Sequence, residues 1–258
     1  MVAAISALAL EANPRLSWRD LQHIIVRTSR HEHLKANDWH QNGAGHWFSH
    51  IFGYGLIDAL GVVKVAEVWK SVPPQIEFET DRDDQFYPIS NKAPAEIKYT
   101  VLRNMTSIDF LEHLQLTVSI TSPRRGDLSV ELISPVGTKS TMLPQRATDK
   151  TYKGFNDWTF MSVHFWGENP LGTWTLRVID MAPIDATGNS RRKVNTIKSR
   201  QTYSRNTEKK LTSWRITFRG TQYDPQENFD AQAMEEAIGS APRAQFKVDT
   251  VLDTGWFS

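Results

Sequence analysis

From Leu111 to Asp180 the sequence alternates apolar and polar residues with a period of two. Leu114, Leu116, Val118 and Ile120 fall on one side, and Gln115, Thr117 and Ser119 on the other. The same period returns at Leu128, Val130 and Leu132, and again at Trp174, Leu176 and Val178. Successive side chains of a strand point to opposite faces, so each run predicts a half-buried antiparallel strand. Between the runs stand SPRRGD, SPVGT and ENPLG, whose Gly and Pro residues read as hairpin turns. Further strands are expected at Ile97–Leu102, Trp158–Phe165 and Ser213–Phe218. Seven or eight strands of this kind suit a mainly β fold, a jelly-roll β-sandwich.

The first 73 residues have a different pattern. MVAAISALALEA is almost wholly apolar or small. It lacks the basic start of a signal peptide and reads better as a helix buried on all sides in a larger domain. Asn13-Pro14 ends it. A second helix begins with Ser17 as its cap and Asp20 in its first turn, and carries an apolar stripe of Trp18, Leu21, Ile24, Ile25 and Thr28. His23 lies off that stripe and is expected to be exposed or to support other groups. A third helix starts at Asp58, with Ala59, Leu60, Val62, Val63, Ala66 and Trp69 turned inward. Pro73-Pro74 marks a boundary. This segment is too small and too apolar to stand alone, so the first helix needs a partner, either the β-domain or a missing part of its own.

Charge excludes some partners and leaves others open. A formal net charge of +1 gives no general argument for nucleic acid or membrane binding. No apolar run reaches the ~18 residues of a membrane span. The distribution is uneven: residues 185–212 hold eight Lys or Arg against two acids, and residues 223–258 hold seven acids against two bases. The basic stretch has no apolar periodicity and is expected to be a loop. Its runs Arg191-Arg192-Lys193 and Lys209-Lys210 are candidate dibasic cleavage sites or an anion-binding patch. The acidic segment reads as a weakly ordered tail.

Few groups offer catalytic chemistry. There is no Cys, hence no thiolate nucleophile, thiolate metal site or disulfide. No Gly-x-Ser-x-Gly, Gly-x-Gly-x-x-Gly or phosphate-loop run occurs. Ser6 sits inside an apolar helix and suits packing. His31 and His33, two apart in a loop, are a weak metal pattern. Paired carboxylates for glycoside chemistry have no fixed spacing, and nothing here supports them. Arg125-Gly126-Asp127 falls in an expected hairpin turn, where Gly and Asp serve the backbone. Asn104-Met105-Thr106 is a glycosylation sequon, meaningful in a secreted chain.

Several long motifs carry a resemblance. SALALEANPRLSWRDLQHIIVRTS, NDWHQNGAG and FGYGLIDA resemble the C-terminal end of the subtilisin-like peptidase domain of the furin/kexin proprotein convertases. LEHLQLTVSITSPRRGDL, SPVGTKST, GFNDWTFMSVHFWGENPLGTWTLRVID and WRITFRGT resemble their P domain (Homo B domain), an eight-stranded jelly roll. FMSVHFWGENPLGTWTL is closest to the neuroendocrine convertase 1 branch of that family. The resemblance implies an incomplete peptidase-domain end at 1–73, a P domain at 74–222 with the basic insertion 185–212, and the tail 223–258. It implies a calcium-dependent serine endopeptidase of the secretory pathway that cleaves precursor proteins after paired basic residues. The family's Ser–His–Asp triad, its acidic specificity pockets and its calcium ligands all align before Met1. No catalytic or calcium-binding residue therefore maps to this chain, which by itself is expected to be inactive. Its implied partner is the missing peptidase-domain half, which the P domain stabilises while tuning calcium and pH dependence. Phe155, Trp158 and Trp166 are candidate contacts, each also suited to packing inside the sandwich. Where many relatives carry a Cys pair, this sequence has Ile76 and Leu102 or close neighbours, which could replace part of the link by burial. The tail shows no membrane anchor of the kind furin has. Two rivals remain: a non-catalytic P-domain regulatory module, and a carbohydrate-binding jelly roll.

Overall fold

The computed structural model describes residues 1–90, 93–183 and 208–225. Three helices run α1 Val2–Ala12, α2 Trp18–Thr28 and α3 Ala59–Val68, with the two-residue strands β1 His40–Gln41 and β2 Trp47–Phe48 between α2 and α3. Nine strands follow among the described residues: β3 Ile76–Glu79, β4 Tyr87–Ile89, β5 Ala95–Val101, β6 Phe110–Thr121, β7 Leu128–Ile133, β8 Lys139–Leu143, β9 Phe155–Ser162, β10 Gly172–Asp180 and β11 Lys209–Thr221. The described residues form two compact units, one of 1–39 and 47–72, the other of 40–46 and 73–225.

In the helical unit, burial around Asp20 sets the arrangement. Ser17 and Asp20 form the expected capping box: Asp20 N donates to Ser17 Oγ (3.2 Å) and Ser17 N to Asp20 Oδ2 (2.7 Å). The carboxylate does more than cap. Its other oxygen accepts from Trp69 Nε1 (2.9 Å) and Val72 N (2.8 Å), which ties the start of α2 to the chain leaving α3. Asn13 serves the same end of α3. Its Nδ2 donates to Ala66 O (3.0 Å) and Trp69 O (3.2 Å), carbonyls at the C-terminal end of α3, where Ala66 O also accepts from Trp69 N (3.2 Å).

Two expectations for this unit are corrected, the inward sides of α2 and of α3. Trp18, placed on the α2 stripe, is 61% exposed, and His23, placed off it, is buried with its ring 6.4 Å from that of Trp69. α2 buries the side that carries Asp20, Ile24 and Thr28 and meets Trp69, and that side takes in position 23 and leaves out position 18. In α3, Val62, Val65 and Ala66 are buried while Ala59 and Leu60 are exposed. α1 packs on α3, so among the described residues it buries one face, through Ile5 and Ala9. Val2, Leu8 and Leu10 are exposed.

In the second unit two sheets enclose one core. One sheet has the order β5-β10-β7-β8; the other has β3-β11-β6-β9, with β4 also paired to β11. Counted from β4, the strands change sheet at every step except the hairpin from β7 to β8. That alternation is the jelly-roll order. The period-two runs supply the core, which is built from Leu114, Leu116 and Val118 of β6, Leu128 to Leu132 of β7, Trp174 to Val178 of β10 and Trp214 to Phe218 of β11. Register keeps these faces together: Leu176 is paired with Leu132 and Ile97, and Ile216 with Leu116.

The topology overturns two of the three expected hairpins. SPVGT does turn β7 back on β8, closed by Ser134 N to Thr138 O (2.9 Å) with Gly137 at φ +95°. SPRRGD instead carries the chain from β6 across to β7 in the opposite sheet, through a short 3₁₀ turn over Arg125–Asp127. ENPLG likewise leads from β9 to β10 in the opposite sheet. Alternation reports which face a residue takes and carries no record of which strand lies alongside.

Strand ends also shift. The strand expected at Trp158–Phe165 is Phe155–Ser162, and the one expected from Ser213 starts at Lys209. β11 has a register shift between Leu211 and Ser213, which throws buried Leu211 out of phase with Trp214, Ile216 and Phe218. The alternation seen from Ser213 onward therefore cannot be extended backward. Leu102 is 50% exposed, so it gives no buried substitute for a cross-link.

Gly126 sits at the corner after β6 with an ordinary backbone conformation. A Cβ there would lie 2.1 Å from Asp149 O and 2.4 Å from Arg146 O, both backbone atoms. Gly126→Ala should therefore cost ~1–3 kcal/mol by overpacking. Urea unfolding of the full chain followed by circular dichroism checks this; an unchanged midpoint would contradict it.

Candidate functional site

The corner after β6 is the most highly organised surface of the sandwich. Arg125 Nε donates to Asp149 Oδ2 at 2.7 Å, and Arg146 approaches the same oxygen at 3.5 Å. Arg146 also donates to Arg125 O (3.0 Å), and Arg124 to Ala147 O. Above them lie the rings of β9. The Arg125 guanidinium stands 5.4 Å from the Phe155 centroid and 5.8 Å from that of Trp158, and Arg146 stands 5.8 Å from Phe155. A guanidinium over a ring face is attracted by its quadrupole while still donating in its own plane. Burial pushes the Asp149 carboxyl up, but hydrogen bonds from Arg125 and Thr151 outweigh it and hold the carboxyl down at about 2. The Arg-Gly-Asp sequence is thus folded into the corner, with Gly126 and Asp127 buried.

The aromatic side chains differ in how they meet solvent. Phe155 and Trp166 are buried; Trp158 is 48% exposed. Trp158 is paired with Val118, so it shares the core-facing side, but β9 is an edge strand and leaves half of it uncovered. Met161 and Tyr152 nearby in sequence are exposed as well. The result is a half-exposed aromatic edge, Trp158 against Phe155, with the Arg125 guanidinium beside both rings.

A second constellation builds residues 40–46 into the sandwich unit. Asn42 Nδ2 donates to His164 O (3.0 Å) and Trp166 O (2.9 Å). Gly43 N donates to Glu168 Oε1 (2.8 Å) and to Thr138 Oγ1 (3.0 Å), and the Thr138 hydroxyl itself donates to Glu168. Asn42 and Glu168 are both buried, so these bonds form where water does not compete. Sequence reading missed both residues. The local clue was Asn-Gly within NDWHQNGAG, a turn sequence in a stretch with no apolar pattern.

Ser140 Oγ lies 2.9 Å from His164 Nδ1, a serine–histidine contact, but it also lies 2.9 Å from Ser162 Oγ and is buried. A substrate carbonyl could not reach it. Among the described residues no group of three His, Cys, Asp or Glu is arranged to hold a metal ion.

The sequence-derived site residues are spread apart. Asn104 is exposed in the turn between β5 and β6. Lys209 and Lys210 begin β11, with Lys210 paired to Thr121 of β6 and Pro88 of β4. Lys209 Nζ reaches Asp180 Oδ1 at 2.5 Å with both side chains largely buried, and Lys210 Nζ reaches Glu208 at 2.5 Å. A protease reading this pair would first have to strip the strand from its neighbours. Arg191, Arg192 and Lys193 lie outside the described residues, as does the tail from 226.

Residues 111–218, from the second residue of β6 to Phe218 of β11, match the proprotein convertase P-domain family. This stretch is a proprotein convertase P domain. Rat proprotein convertase subtilisin/kexin type 6 is 42% identical over 239 residues, 90% of this chain and 23% of the relative. Bovine furin is 45% identical over 181 residues, 69% of this chain and 22% of its own. Rat subtilisin/kexin type 5 is 46% identical over 184 residues, covering 70% of this chain and 10% of the relative. The chain thus spans a quarter or less of the length of these relatives. Among solved structures, the Aeromonas sobria serine protease in complex with its chaperone matches 86% of this chain and 43% of its own at 25% identity, with a TM-score of 0.67.

The P-domain corner makes a pH prediction. A carboxyl held below its usual 3.8 adds stability that is complete above that value and is lost as pH falls through about 2. The urea midpoint should fall over that window. Asp149→Asn should lower stability at neutral pH by on the order of 2 kcal/mol and flatten the acid fall. Equal slopes for the two proteins would contradict the assignment.

Proposed function

We propose that this chain is the P-domain-bearing part of a calcium-dependent serine endopeptidase that processes precursor proteins after paired basic residues in the secretory pathway. The match of the sandwich to the convertase P-domain family is the observation that carries this reading. Two features support it. The segment NDWHQNGAG, which resembles the peptidase domain, has its Asn42 and Gly43 hydrogen-bonded into the sandwich unit. α1 leaves Val2, Leu8 and Leu10 exposed, apolar side chains that the rest of a subtilisin-like domain would cover.

In this reading the triad, the calcium ions and the pockets for basic side chains belong to the peptidase domain, and acyl transfer to water happens there. The sandwich stabilises that domain and tunes its response to calcium and pH. Asn42 and Glu168 are positioning residues, since they hold a peptidase-type loop to the P domain through bonds that solvent cannot replace.

The chain alone should give no turnover of a dibasic fluorogenic peptide. Turnover sensitive to a convertase-directed inhibitor would overturn this. A chimera in which this chain replaces the matching segment of bovine furin should cleave that peptide when calcium is present. The same chimera without residues 73–225 should be poorly secreted and inactive; equal activity would sink the supporting role of the sandwich. Within the active chimera, Asn42→Ala should lower the thermal midpoint and cost ~1–3 kcal/mol, because His164 O and Trp166 O lose a buried donor.

A further inference from the structure

Asn104 stands at the tip of the connection between β5 and β6, followed by Met105 and Thr106. Turns usually hold Asn for one of two reasons: it tolerates left-handed backbone, or its side chain closes the turn on a nearby backbone group. Neither applies here. Among the described residues the one non-glycine with positive φ is Asp157, so Asn104 is not holding left-handed backbone. The turn is closed instead by Met105 N donating to Leu102 O (3.0 Å) and by Leu102 N donating to Met105 Sδ (3.4 Å). The Asn104 amide projects from an exposed residue flanked by exposed Leu102 and Met105.

The surroundings are firm and leave room. A shallow hollow of about 360 Å³ is lined by Arg103, Asn104, Met105, Thr106, Ser107 and Gln222. Arg103 is held by Asp109 (2.7 Å), which also accepts from Asn169 Nδ2 (2.8 Å). Arg103, Ser107 and Gln222 offer polar groups for sugar hydroxyls, and Met105 and Leu102 offer apolar surface for the C–H face of a ring. The Thr106 hydroxyl is buried and accepts from Ile108 N at 3.2 Å, so after folding it is occupied by the backbone. The 258-residue sequence has no other Asn-x-Ser/Thr with x other than Pro.

We infer that Asn104 is a modification site that carries an N-linked glycan covering this end of the sandwich. The inference rests on the secretory reading above. The co-reactant is a lipid-pyrophosphate-linked oligosaccharide, brought to the extended chain by a host transferase before Thr106 is buried. The Asn104 amide nitrogen forms a bond to the anomeric carbon and gives up one proton. The bond from that carbon to the pyrophosphate oxygen breaks, and the lipid pyrophosphate leaves. No electron transfer is involved.

The full chain behind an appended secretion signal, made in insect cells, gives the test. Denatured protein is treated with peptide N-glycosidase, and its lumenal location is checked by protease protection in sealed microsomes. The expected result is one downward mobility step, with Asn104 converted to aspartate by peptide mass. Asn104→Gln, which removes no described contact, should abolish the step, and Thr106→Ser should keep it. A protease-protected chain with no step, or a step that persists in Asn104→Gln, overturns the inference. Because the appended signal forces entry, either result bears on this site alone and leaves the natural route of the protein to be judged separately.

Discussion

Trp174 sets the separation of the two sheets. It projects from β10 into the core, with its ring centroid 5.1 Å from Phe165 and 5.2 Å from Phe218 of β11 in the facing sheet. Its indole N–H cannot be left unpaired in so dry a place, and it donates to Pro170 O at 2.8 Å. That bond also fixes the path of the crossing from β9 to β10. One side chain therefore couples the spacing of the layers to the route of a connection. The apolar stripes of β6, β7 and β11 can close only around a centre of that size.

The two ends of the sandwich use different chemistry. At the corner after β6, three arginines, one aspartate and two aromatic rings lock a chain that must change sheet. At the opposite end of β6, near its start, Leu111 N donates to Glu168 O and Leu111 O accepts from Gly167 N. This places Glu168 where its side chain can take Gly43. The charged corner is bonded to itself, whereas the other end receives a loop from earlier in the chain.

Sequence reading recovered what depends on neighbours in the chain. The alternating runs gave the core residues, Ser17 with Asp20 gave a helix start, and SPVGT gave a true hairpin. It missed what depends on distant contacts. Asn13, Asp20 and Asn42 each bond to groups far along the chain, and nothing adjacent to them records it. His23 and Trp18 were exchanged because an apolar stripe ranks residues by type, while a buried carboxylate and an indole decided which side α2 turns inward. Among the residues singled out from sequence, Asn104 came from a motif that is wholly local, Asn-Met-Thr. Lys209 and Lys210 were read as loop because a bulge breaks the phase of β11 and two charges stand where its pattern begins.

The ion pair between Lys209 and Asp180 joins two strand ends that are far apart in sequence. Asp180 ends β10 and Lys209 opens β11, and Gln145 Nε2 holds Met181 O (2.9 Å) just beyond the first of them. The end of β10 and the start of β11 are therefore clamped directly to each other, and because these strands lie in opposite sheets a nearly buried charge pair ties one layer to the other at this edge.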